Sequence, residues 1–430
     1  MENERGSVSR IGRKNWFIVI MLGMAGQIAW NVENSWFNTF VFDTITPDPK
    51  PIAWMVAISA IMATLTTLIM GTVSDIIGKR KPFILYGYIL WGLSTVIFPT
   101  TAFIKNIGLA IVMIIIADAV MTFFGSTAYD AAFNAWTTDI SDETNRGVLS
   151  GVISIFPLMA ALVGTALSGF LIDEFGYYTF FYALGIVVGL MGIIGGLMLK
   201  DSPKMHRMPG LSVKSFITHL FKVFSVKSIK NNKELFLVFS SLALFSTGYQ
   251  VFSPYQMIYI NNYLNISKSS AGIIAAIAVL TSMLAAVPSG KLVDRGYVKS
   301  SVITSLVLFF AGVLLFSFST QIYQVVITLI LQFIGLIILL LSTGAWMKNL
   351  MPQENRGQFE GVRMIFNVAI PMIIGPSIGS YFITRFGIPA QLNGEAGFIP
   401  TPVVFQVAAL VSITAIIPVM IIMSRKKRGA

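Results

Sequence analysis

Apolar residues along this chain do not alternate with polar ones. They gather into twelve runs, at about 16–41, 51–73, 82–103, 107–136, 148–172, 177–199, 235–262, 269–290, 301–319, 322–347, 358–383 and 402–424. Each is about 20 residues or longer, the length an α-helix needs to cross the ~30 Å hydrocarbon core of a bilayer. Several contain Gly and Pro, which membrane helices tolerate because neighbouring helices re-satisfy the freed backbone groups. The pattern predicts an all-α membrane protein with twelve transmembrane helices. The first run is too long for a cleavable signal peptide and has no small-residue cleavage site, so none is expected.

The runs fall into two similar sets. Ala135-Trp136, Asn145-Arg146-Gly147, Gly151-Val152 and Ile155-Phe156 return 210 residues later as Ala345-Trp346, Asn355-Arg356-Gly357, Gly361-Val362 and Ile365-Phe366. Gly71 and Asp75 return at an offset of 219 as Gly290 and Asp294. A repeat half the length of the chain is too long for a solenoid. In so apolar a chain it points to two pseudo-symmetric six-helix bundles around a central site. The bundles are read as 1–199 and 235–430, joined by a linker at 200–234. Within the linker, 211–226 has apolar residues near helical spacing and reads as an amphipathic helix on the membrane surface or as a plain basic connection. Residues 384–401 read as a long, nearly uncharged loop.

Composition supports the membrane reading. Of the 430 residues, 55% are hydrophobic and 11% charged, with a mean hydropathy of +0.77; soluble domains carry about 25% charged residues. The net charge of +11 would suit a nucleic-acid binder, but its placement argues otherwise. Twelve spans put both termini on one side, and on that side stand 25 Lys and Arg against Lys50, Lys105, Lys268 and Arg385 opposite. Such an asymmetry marks the basic side as cytoplasmic and attracts anionic lipid headgroups. The expectation is a multi-pass cell-membrane monomer with cytoplasmic termini. Its partners would be a small solute and membrane lipids, and no nucleic acid. There is no cysteine, and His206 and His219 both lie in the linker. Disulfides, thiolate nucleophiles and intramembrane His clusters are thereby excluded, and no metal or cofactor is expected.

The loop after the second run, Gly71-x-x-x-Asp75-x-x-Gly78-Lys79-Arg80, resembles the signature loop of the major facilitator superfamily. A degenerate copy stands at Asp294-Arg295-Gly296. The loops Glu143-Thr-Asn-Arg146-Gly147 and Glu354-Asn-Arg356-Gly357 are similar to that superfamily's acidic-plus-arginine loops. Within it, the polar first span, from Gln27 to Trp36, and the polar fourth span, from Asp130 to Asp139, look most like the sugar–cation symporters of the sucrose-transporter and glycoside–pentoside–hexuronide branches. The fifth span lacks the Gly-Pro pattern of the antiporters. The resemblance implies alternating access, a cavity lined by spans 1, 4, 7 and 10, and gating by the charged loops at Asp75, Arg146, Asp294 and Arg356.

A charge at the centre of a membrane helix costs at least ~2.5 kcal/mol on insertion scales, so intramembrane polar residues are the default site candidates. Gln27, Asn31, Asn34 and Asn38 recur at helical spacing and share one face of a regular helix. Amides both donate and accept, which suits a hydroxylated ligand; interhelical bonding is the competing reading. Trp30 and Trp36 flank the stripe. Tyr249, Gln250, Tyr255, Gln256 and Tyr259 form a second cluster. Substrate binding is therefore expected at Gln27, Trp30, Asn31, Asn34, Tyr249, Gln250 and Gln256. Glu33, Asp118 and Asp130 are the candidate couplers to H⁺ or Na⁺. Arg363 is the basic residue within a span and a further gating candidate; a local pair with Glu360 competes with one across helices. A membrane enzyme would need a nucleophile–base pair, a metal cluster or a carboxylate dyad, and catalysis leaves the repeat unexplained. The expected function is cation-coupled transport of a sugar or glycoside, with a multidrug, lipid or nucleoside carrier of the same fold as the alternative.

Overall fold

The computed structural model describes residues 11–142, 144–202, 225–352 and 356–428. The linker stretch 203–224, and with it nearly all of the amphipathic segment, lies outside the described residues. Among the described residues, eleven helical segments are long and apolar enough to cross a membrane. One of them, Arg146–Met198, has 53 residues, far more than one crossing needs. It folds back at Gly176, whose φ of 77° and ψ of 165° suit a residue without a Cβ. The chain thus crosses twelve times. Span 1 is Arg13–Thr44, span 2 Pro49–Ile77, span 3 Lys81–Phe103 and span 4 Ile107–Asp139; spans 5 and 6 are 146–175 and 177–198. Span 7 is Lys233–Tyr263, span 8 Lys268–Asp294, span 9 Val298–Phe316, span 10 Ile322–Leu350, span 11 Phe359–Phe386 and span 12 Pro402–Ser424. The first and last described residues, Ile11 and Arg428, fall on one face, called here the terminal face; the opposite one is the far face.

The sequence repeat is a structural one. In the first half spans 3 and 6, 2 and 4, 1 and 5, and 1 and 6 pack together. Six spans later 9 and 12, 8 and 10, 7 and 11, and 7 and 12 do the same. The halves meet where spans 2 and 11 touch and where spans 5 and 8 touch, and symmetry exchanges these two seams. Small residues allow backbones to approach closely. A Cβ on Gly92 would come within 2.6 Å of the backbone nitrogen of Gly189, and one on Gly312 within 2.5 Å of that of Gln332.

Helix starts are capped from the sequence. Asp48 accepts the backbone N–H of Lys50 at 3.0 Å, with Pro49 as the first helical residue, and Asn106 accepts that of Leu109 at 2.9 Å; both satisfy groups a helix N-terminus leaves open. The stretch expected as a loop at 384–401 is mostly ordered: span 11 runs on to Phe386, and an antiparallel hairpin comes after it, β1 Ile388–Leu392 and β2 Glu395–Ile399. Asn393 and Gly394 turn it with φ of 54° and 85°, the positive pair a tight two-residue hairpin requires. The hairpin reaches across to the first half, where Phe398 donates its N–H to the Pro47 carbonyl at 3.0 Å and Asn393 donates to that of Thr44 at 3.1 Å.

Candidate functional site

Among the described residues five spans carry π-helical turns: Glu33–Phe37 in span 1, Ser126–Phe133 in span 4, Leu162–Leu167 in span 5, Tyr259–Tyr263 in span 7 and Ile365–Ala369 in span 11. A π turn widens the helix and rotates the residues beyond it, and such turns gather at functional sites. In span 1 it interrupts the amide stripe. Gln27 donates to the Tyr129 hydroxyl of span 4 at 3.0 Å. Asn31 accepts from the Thr165 hydroxyl of span 5 at 2.9 Å. Asn34 is exposed and donates to the Trp30 carbonyl of its own helix at 2.7 Å. Asn38 is buried, with its carbonyl oxygen unpartnered among the described residues. Trp30 lies over Gly125 and packs on Trp91 with ring centroids 4.9 Å apart.

Glu33, half-buried, and Asp118, buried, belong to one chain of polar groups. The Thr122 hydroxyl lies 3.2 Å from both Glu33 and the Ser59 hydroxyl and donates its one proton to either, and Ser59 donates to Asp118. Asp118 is 2% exposed. One carboxylate oxygen of each acid, Oε2 of Glu33 and Oδ1 of Asp118, is buried without a hydrogen-bond partner among the described residues. Counted at 1.5 Å per residue from the far ends of their spans, Glu33, Ser59 and Asp118 all sit about 15–16 Å deep, near the middle of the hydrocarbon layer. Among the described residues no Lys, Arg or His forms an ion pair with either acid. Asp130 stands apart, roughly 18 Å further along span 4 toward the terminal face.

The second-half candidates are more dispersed. Tyr249 packs against Phe252 and Phe309, with centroids 5.4 and 6.3 Å away. Gln250 lies against Gly375 of span 11, and Gln256 is half-buried. Tyr255 is fully buried and donates to the carbonyls of Pro376, at 2.9 Å, and Pro49, at 3.3 Å. Ser246 donates to Asn367 of span 11 at 2.9 Å. In span 10 Gln332 is fully buried, with neither amide atom partnered among the described residues.

The charged loops are tied within their own halves. Arg80, 5% exposed, pairs with Asp75 at 2.5 Å and Asp139 at 3.1 Å, and its backbone N–H donates to Asp201 at 2.7 Å. Trp136 donates to the Lys200 carbonyl at 3.0 Å. Its repeat counterpart Trp346 donates to Glu234 at 3.1 Å, and Lys299 stands 3.8 Å from the same oxygen. Arg363 pairs locally with Glu360 at 2.5 Å. Arg146 and Asp294 are exposed and without an ion pair among the described residues; the side chain of Arg356 lies outside them.

The polar contacts that join the halves among the described residues all lie at the far face. Lys268 pairs with Asp43 at 3.2 Å, and Tyr177 donates to the same Asp43 oxygen at 2.8 Å. Ser269 donates its N–H and hydroxyl to Asp173 at 2.7 and 2.6 Å. The Tyr255–Pro49 bond and the two hairpin bonds complete the set. At the terminal face a Cβ on Gly71, Gly147, Gly151 or Gly290 would meet nothing within 4 Å. Among the described residues the seam is tied by polar contacts at the far face.

The sequence profile described as Major Facilitator Superfamily matches residues 15–261 and 238–430. The chain belongs to this superfamily. Its fold is therefore a transporter fold, and it is a multi-pass membrane protein. Among solved structures, a variant of the nucleoside transporter NupG is similar with a TM-score of 0.74 and 13% identity, over 94% of this chain and 99% of that one. NupG itself gives 0.67 at 15% identity, over 95% and 98%. A bacterial homologue of the iron transporter ferroportin, in an inward-facing state, gives 0.67 at 13% identity, over 96% and 98%. At such identities the likeness is one of fold. No curated protein sequence matches the chain.

Sequence reasoning missed Ser59, Thr122, Thr165 and Tyr129, which engage the named candidates, and the far-face group Asp43, Asp173, Tyr177 and Ser269. Thr122 lies one helical turn from Asp118 and was open to discovery by that spacing. A lone Ser in an apolar span gives no such signal.

Proposed function

We propose that this protein is a secondary active transporter that moves a neutral, hydroxyl-rich ring solute, a sugar or glycoside, by alternating access coupled to H⁺ or Na⁺. The observation that carries the reading is the Glu33–Thr122–Ser59–Asp118 chain, with its two unpartnered carboxylate oxygens at mid-membrane. Two ionised carboxylates at mid-membrane, one buried and one half-buried, without a cationic partner among the described residues are costly. A bound proton or a small cation relieves that cost, and the group's charge then differs along the transport cycle. Asn31 lies two residues from Glu33 on the same helix, so substrate and cation share one mobile element. Asp130 sits on the route toward the terminal face, as a second coupling group. The basic asymmetry supports cytoplasmic termini. There Arg146 and Asp294 meet, with Arg356, when the terminal face closes and the far-face contacts part.

A nucleoside is the second reading. It carries the same hydroxylated ring, its base would stack on Trp30 or Tyr249, and NupG is a nucleoside transporter by name. The test is uptake of labelled sugars and nucleosides by proteoliposomes holding the purified full-length chain, under an imposed Na⁺ or pH gradient. Wild type concentrates one class of solute. Glu33→Gln or Asp118→Asn abolishes accumulation while exchange of solute across the membrane continues. Accumulation by both variants at the wild-type level would remove the coupling assignment.

A further inference from the structure

The two seams between the halves are exchanged by symmetry, yet they are charged differently at the far face. At the seam of spans 5 and 8, Lys268 opens span 8 and is held by Asp43, with Tyr177 beneath its ammonium at 5.2 Å from the ring centroid. Asp173, near the end of span 5, caps Ser269. That seam neutralises itself. At the seam of spans 2 and 11, Lys50 opens span 2 and occupies almost the position of Lys268, 218 residues earlier, close to the repeat offset. Arg385 stands near the end of span 11, where span 5 carries acids. Both Lys50 and Arg385 are exposed, and neither has an ion pair among the described residues. The neighbouring Asp48 caps the start of span 2, so one carboxylate stands beside the two cations. Of the four basic residues on the far side, two therefore converge on one place of net positive charge.

That place is a cleft of about 660 Å³. Below the two cations it is lined by Ala53, Trp54 and Ala57 of span 2 and by Ser377, Tyr381 and Thr384 of span 11. Trp54 and Tyr381 are 64% and 66% exposed, at the depth where such rings mark a membrane interface. From Lys50 to Ala57 and from Arg385 to Ile373 the walls descend about 10 and 18 Å, about one leaflet of hydrocarbon. A second apolar groove, lined by Ile374, Ile378 and Phe382, continues along the same face of span 11. Positive charge at the rim and an apolar wall one leaflet deep match a phosphate with an acyl chain below it.

We propose that this cleft binds an anionic phospholipid of the far leaflet, its phosphate held by Lys50 and Arg385 and its acyl chain laid along Trp54 and Tyr381. The lipid supplies to the 2–11 seam the negative charge that Asp43 and Asp173 supply to the 5–8 seam. The proposal does not depend on which solute is carried.

The test is lipid retention by the full-length protein in native mass spectrometry, with phosphatidylglycerol and phosphatidylcholine offered in equal amounts. Wild type retains phosphatidylglycerol preferentially. Lys50→Gln with Arg385→Gln lowers that retention by ~30-fold, from ~5-fold for each cation near a membrane surface. Lys105→Gln, at the same face but outside the cleft, leaves it unchanged. Lys50→Arg with Arg385→Lys keeps the charge and keeps the preference, which separates charge from folding. Phosphatidylglycerol brominated on its acyl chain quenches tryptophan fluorescence, and Trp54→Phe removes the larger part of the quenching. Equal retention of the two lipids by wild type, or unchanged retention by the double Gln variant, overturns the proposal. So does complete displacement by millimolar inorganic phosphate, which would make the occupant a free anion.

Discussion

Asn31 and Asn34 are chemically identical and three residues apart, but they occupy different positions energetically. Asn31 spends its carbonyl oxygen on Thr165 across a helix interface, so its loss leaves a buried hydroxyl unpaired and removes an amide from the site. Asn34 donates to a carbonyl of its own helix. Asn31→Ala is therefore expected to weaken solute binding by ~1–3 kcal/mol, and Asn34→Ala by less than about 1, when both are titrated by calorimetry. Equal losses would show that the amides act as one stripe. On a regular helical wheel they do form a stripe, which is how the sequence presents them. The π turn at Glu33–Phe37 divides it, and nothing in the residue types announces such a turn. The acids were legible, since a carboxylate in an apolar run is conspicuous. Their partner Ser59 was not, because a single hydroxyl in a membrane helix usually bonds its own backbone.

At the level of elements, helix packing depends on glycines whose roles differ by position. A Cβ on Gly92 would come within 2.6 and 2.8 Å of the backbone of Gly189, and backbone cannot step aside. Gly151 faces open space. Gly92→Val should destabilise the protein by ~1–3 kcal/mol through overpacking, while Gly151→Ala should be neutral or stabilising by up to ~1 kcal/mol through helix propensity. Thermal unfolding in detergent measures both, and equal effects would contradict the close packing of spans 3 and 6. The twelve spans were legible from hydropathy and length alone, because lipid leaves the chain few alternatives. The hairpin at Ile388–Ile399 was not. Its Asn393-Gly394 turn is a strong local signal, but strands this short lack the alternation that would have confirmed it.

At the scale of the whole molecule, the repeat foretold two similar halves, and the packing of spans 1–6 recurs in spans 7–12. The charged loops, placed alike in both halves, suggest contacts between them. In the structure Asp75, Arg80 and Asp139 bind one another within the first half, and the polar latch lies at the other face, on Lys268, Asp43, Asp173 and Tyr177. Contacts between distant spans carry no local pattern, so sequence could not show which face is latched. Rocking of the two halves about the central site requires such a latch to break as its counterpart forms. The most direct test is a pair of spin-label distances, which a chain without native cysteine permits cleanly. One pair joins Lys105 and Ile322 across the far face; the other joins Val148, exposed at the start of span 5, and Lys291 across the terminal face. With solute and coupling cation added, the far-face distance is expected to lengthen while the terminal-face distance shortens, and Lys268→Gln is expected to move both the same way without ligand. Two distances that stay fixed, or that lengthen together, would contradict alternating access through this latch.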